Sequence, residues 1–92
     1  MCYRYLIEGR VQGVFYRASA KQAADRFGLS GWVKNLADGR VESFACGEQA
    51  QLNAFEQWLN DGPKLARVDA VSKYAEPCEG ASASAFEILP DA

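Results

Sequence analysis

The chain has 92 residues, of which 49% are apolar and 24% charged, with a formal net charge of −2 and no histidine. That length and composition suit one small globular domain spanning 1–92, and no apolar run reaches the ~18 residues of a membrane span. The missing imidazole excludes Ser-His-Asp hydrolysis, Cys-His nucleophiles, phosphohistidine chemistry and the usual zinc sites.

Residues 2–10 (CYRYLIEGR) alternate, with Tyr3, Tyr5 and Ile7 on one face and Arg4 and Glu8 on the other, which predicts a half-buried strand. The stretch GRVQGVFYR, Gly9 to Arg17, then leads from this strand into a helix. From about Arg17 to Phe27, Ala20, Ala23, Ala24 and Phe27 recur at helical spacing, and Gly28 stands where a helix end favours glycine. Residues 30–47 (SGWVKNLADGRVESFACG) predict two strands around Asp38-Gly39. In 48–61, Leu52, Phe55 and Leu59 form the stripe of a second helix, which Gly62-Pro63 stops. Residues 66–76 predict a fourth strand, 77–84 a small-residue loop, and 85–89 (AFEIL) a short fifth edge strand.

This order is β-α-β-β-α-β, an α+β ferredoxin-like sandwich with two helices on one face of an antiparallel sheet. Right-handed crossovers set the strand order 4-1-3-2, so the loop after strand 1 and the end of strand 2 share one edge of the sheet. Val11–Arg17 and Asn35 can therefore meet. Free amides at a helix start attract anions, Gly9 and Gly13 permit a nest of converging amides, and Arg17 adds a planar cationic fork. An ordinary strand-to-helix turn also fits these glycines, and an asparagine before a hairpin also fits a plain turn former.

Here the sequence resembles a known family. IEGRVQGVFYR (Ile7–Arg17) and GWVKNLADGRVESFACG (Gly31–Gly47) are similar to the two signature segments of the acylphosphatases. The resemblance covers most of the chain, including GPKLARV (Gly62–Val68) and Phe86-Glu87-Ile88. It implies hydrolysis of acyl phosphates to carboxylate and inorganic phosphate, with no metal, no cofactor and no phosphoenzyme. Arg17 would be the phosphate-binding catalytic arginine and Asn35 the residue that positions the attacking water. The backbone amides of Gly13, Val14, Phe15, Tyr16 and Arg17 would cradle the phosphate. Tyr16 departs from the family's usual Phe or Met, and its hydroxyl needs a partner.

Residues 1–40 hold seven Lys/Arg against three Asp/Glu, whereas 41–92 hold three against nine. The acidic total and the lack of paired aromatics in RVESFACG argue against nucleic acid as a partner. A phosphate-binding regulatory module of the same fold is a rival that leaves Asn35 idle, and a copper carrier lacks its Cys-x-x-Cys loop. Arg10, Lys34 and Arg40 sit near the same edge, and Glu8 is placed to pair with Arg40. Without a signal-peptide pattern at the start, the expectation is a cytoplasmic monomer acting on a small molecule. Cys2, Cys46 and Cys78 look too scattered for a metal cluster. Two states are open for them: three reduced thiols, or a Cys2–Cys46 disulfide across neighbouring strands.

Overall fold

The structure, a computed structural model, describes residues 1–78 and 85–91. Most of the small-residue segment 77–84 lies outside the described residues. The elements are β1 (Cys2–Arg10), α1 (Tyr16–Arg26), β2 (Ser30–Asn35), β3 (Val41–Cys46), α2 (Gln49–Asp61), β4 (Arg67–Glu76) and β5 (Phe86–Ile88). The sheet runs β4-β1-β3-β2-β5, the expected order extended by one strand.

One feature of the predicted sheet needs correction. β5 pairs with β2 in parallel, Gly31 opposite Phe86 and Val33 opposite Ile88, so the sheet is mixed rather than wholly antiparallel. The reason is directional. β4 ends opposite Cys2, at the end of the sheet where β2 begins, so a chain that crosses to the far edge must run beside β2 in the same sense. This carries the C-terminal residues toward the end of β2.

Alternation along the strands places Tyr5, Ile7, Val33, Val41 and Ala45 in one buried layer. Ala20, Ala23 and Ala24 of α1, Leu52, Phe55 and Leu59 of α2, and Phe86 complete it. Phe55 is its centre, edge-on to Tyr5 and Phe86 at centroid distances of 6.1 and 5.8 Å. The buried face of α1 is largely alanine, so the helix can lie close to the sheet with its first turn near the end of β2.

The Tyr16 hydroxyl finds its partner inside the protein. It donates to the Leu59 carbonyl at 2.7 Å, within the last turn of α2, where helical carbonyls lack intrahelical donors. Its ring packs on Trp58 at 5.3 Å, and burial pushes the phenol's pKa up. The start of α1 is thereby tied to the end of α2. The expected Glu8–Arg40 pair is absent, because Arg40 Nε turns back to Asp38 Oδ2 at 2.8 Å within its own turn. Arg4 instead bridges the strands, meeting Glu42 at 3.2 Å and Glu76 at 3.0 Å.

Tyr16→Phe is expected to lower the unfolding free energy by about 1–3 kcal/mol in a urea titration, because the Leu59 carbonyl loses its buried donor. An unchanged midpoint would show that the bond adds nothing.

Candidate active site

The five residues after β1 are held by alternating anchors. Val11 and Val14 are buried in the core, whereas Gly13 and Phe15 face outward with φ of +75° and +62°. Left-handed residues two apart turn the intervening amides toward one side, which is how a backbone nest forms. Glycine adopts this conformation freely, but Phe15 is strained by it, and that strain persists because Val14 and Tyr16 on either side are locked in the core. Gly9 does not belong to the nest. It sits at a register shift between β1 and β4, where a Cβ would run into the Arg67 carbonyl.

The start of α1 is left open. Phe15 occupies the N-cap without a side-chain hydrogen bond, and the first turn holds no acidic residue. By contrast, α2 is closed by a capping box in which the Glu48 amide donates to Gln51 Oε1 at 2.9 Å. Of these two helices, α1 therefore presents the start with no side-chain cap and the more open positive dipole end.

A cavity of about 320 Å³ lies over this helix start, lined by Gly13, Phe15, Arg17 and Ala18 on one side and by Asn35 and Ile88 on the other. Val11 and Tyr16 complete the wall. Asn35 is the last residue of β2 and shares the pleated face of Val33, so its side chain points to the helix layer. It is 7% exposed, and its Oδ1 has no hydrogen-bond partner among the described residues. A buried amide oxygen left unpaired is costly, and such groups concentrate where a ligand or water completes them.

Gln12 brings the two halves together. Its Nε2 donates to the carbonyls of Leu36 at 2.8 Å and Arg40 at 2.9 Å, clamping the loop onto the β2–β3 turn beside Asn35. Its sequence signal is weak, since one glutamine in a loop has no periodicity to betray a distant partner.

Arg17 is the one cation lining the cavity among the described residues. Its Nη1 meets Asp91 Oδ1 at 2.9 Å, with the two side chains 34% and 63% exposed. Asp91 could not be found from local pattern, because only the parallel docking of β5 delivers it there. Two other cations near this edge are engaged elsewhere. Lys34 reaches Glu42 at 3.6 Å on the opposite face of the sheet, and Arg40 is held by Asp38. Cys2 and Cys46 lie directly opposite one another at the far end of the sheet and take no part in this cavity.

This geometry has close counterparts. A family model described as acylphosphatase matches residues 3–88. The chain is 53% identical over 79 residues to the acylphosphatase of Legionella pneumophila strain Corby, covering 86% of this chain and 87% of that protein. It is 51% identical over 75 residues to that of Marinobacter nauticus, covering 82% of each. The crystal structure of an acylphosphatase from Bacillus subtilis superposes with a TM-score of 0.90 at 36% identity, over 96% of this chain and 97% of that one. By the extent of these matches in sequence and fold, the chain belongs to the acylphosphatase family.

Proposed function

We propose that the protein hydrolyses the carboxyl–phosphate bond of acyl phosphates, releasing carboxylate and inorganic phosphate by direct attack of an oriented water. The observation that carries this reading is the buried Asn35 Oδ1, without a partner among the described residues, which lines one cavity with Arg17 and the open start of α1.

In this mechanism the amides of Gly13 to Arg17 and the guanidinium fork of Arg17 bind the phosphate oxygens. They are strongest where charge builds on the transferring group. Asn35 Oδ1 accepts a hydrogen bond from the attacking water and holds it in line with the leaving carboxylate. An acyl phosphate has a good leaving group, so orientation and charge stabilisation suffice without a strong acid. A phosphate oxygen takes the water's proton. The lining supports attack by water rather than by the protein. Among the described residues it offers no serine or cysteine, and the Tyr16 hydroxyl is committed to Leu59. Phe15 and Ile88, both exposed, give the mouth an apolar rim for the acyl group. Asp91 occupies the guanidinium until substrate displaces it, so it competes with phosphate for Arg17.

The direct test is hydrolysis of benzoyl phosphate in the presence of a chelator, beside an aryl phosphate monoester. Turnover of the first and not the second is expected, and the reverse would reject the reading. Arg17→Ala and Asn35→Ala are each expected to lower turnover by about 10²–10³-fold. Arg17→Ala should also weaken inhibition by inorganic phosphate, whereas Asn35→Ala should leave it unchanged. Equal loss of phosphate binding in both would undo this division of roles. Asp91→Ala is expected to tighten phosphate inhibition by up to about fivefold, since an exposed ion pair is worth ~0.2–1 kcal/mol. An unchanged inhibition constant would show that Asp91 does not compete.

A further inference from the structure

The three cysteines, widely spaced in sequence, converge at the end of the sheet remote from the cavity. Cys2 opens β1, Cys46 ends β3 directly opposite it, and Cys78 follows β4, which flanks β1 on the other side. The nine residues of β1 separate them from the anion loop by about 27 Å at strand rise. All three sulfurs lie within 4.8 Å of one another, which corrects the expectation of scattered thiols.

Their arrangement is hierarchical. Cys2 is 3% exposed, Cys46 is half-buried and Cys78 is exposed. Cys2 Sγ is in disulfide contact with both Cys46 and Cys78, whose Cα atoms lie 4.2 and 5.5 Å from its own. One sulfur holds one disulfide at a time, so the two bonds are alternatives and a third thiol is always left over. A sulfur flanked by two others is the central atom of a thiol–disulfide exchange.

We propose that Cys78, Cys2 and Cys46 form an exchange site for small-molecule disulfides of the glutathione type. In the first step the Cys78 thiolate attacks a sulfur of the external disulfide, its S–S bond breaks, and one thiolate leaves and is protonated. Cys2 then attacks the Cys78 sulfur, forming Cys2–Cys78 and expelling the second small thiol. Finally Cys46 attacks Cys2 Sγ, forming Cys2–Cys46 and releasing Cys78 as a thiolate. The external disulfide gains two electrons and two protons to become two thiols, and the protein loses two thiols to gain one disulfide. Exposure decides the order, because Cys78 is the most accessible of the three thiols and Cys2 is the one in disulfide contact with both others. The product cross-links β1 to β3 at the sheet's far end and returns the entry thiol to its starting state. This inference does not depend on the hydrolytic reading.

The test treats reduced protein with oxidised glutathione, quenches with an alkylating agent and maps adducts by mass spectrometry. Wild type should end with one Cys2–Cys46 disulfide and one alkylated thiol on Cys78, after a transient single glutathione adduct on Cys78. Cys78→Ser should form Cys2–Cys46 about tenfold more slowly or worse, since a reacting thiol must be reached from solvent. Cys46→Ser should stop at Cys2–Cys78, and Cys2→Ser should retain glutathione on Cys78. Circular dichroism of each variant serves as the folding control. If Cys2→Ser does not fold, the other two variants still decide. Equal oxidation rates in wild type and Cys78→Ser, a first adduct on Cys46, or three free thiols throughout would overturn the proposal.

Discussion

The open N-terminus of α1 is the constraint on which the rest of this structure depends. A helix start left without a capping side chain or an acidic neighbour carries unshared amides and a positive field, and it is stable only if something negative or wet completes it. The same chain closes its other helix with a reciprocal capping box, so the openness of α1 is not a general looseness of helix ends. Arg17 adds to this positive field in the first turn. Asp91 answers this field with a carboxylate on Arg17.

Holding such a strained feature requires support from well beyond the loop. Phe15 keeps its left-handed backbone because Val14 and Tyr16 are immobilised beside it, and Tyr16 is in turn bonded to the end of α2. Gln12 ties the other side of the loop to the β2–β3 turn. The site is therefore a loop suspended between three rigid elements, so the distance between Arg17 and Asn35 is set by the packing of α1 on β2. The alanine face of α1 belongs to this arrangement, because bulkier side chains would lift the helix start away from Asn35.

The two ends of the sheet are chemically distinct. One carries the cavity over the start of α1, the other three sulfurs graded from buried to exposed. β1 spans both, with the loop that lines the cavity at its C-terminal end and Cys2 at its start. A cross-link at the far end restrains β1 against β3 without touching the pocket lining.

By itself the sequence determined the element order, the succession of β4, β1, β3 and β2, and the sharing of one edge by the loop and Asn35. These follow from periodicity over a few residues and from the handedness of crossovers, which are local or nearly so. The meeting of Arg17 and Asn35 at one cavity was legible for that reason, and the turn at Gly13 because glycine advertises a left-handed backbone. Only the tertiary structure decided the parallel docking of β5, the pairing of Arg17 with Asp91, the Gln12 clamp and the meeting of three sulfurs. Gln12 and Leu36 are 24 residues apart, Arg17 and Asp91 are 74 apart, and Cys2 and Cys78 are 76 apart. Contacts over such separations depend on the paths of loops and on which sheet edge a late strand joins, and no residue's neighbours in sequence carry that information.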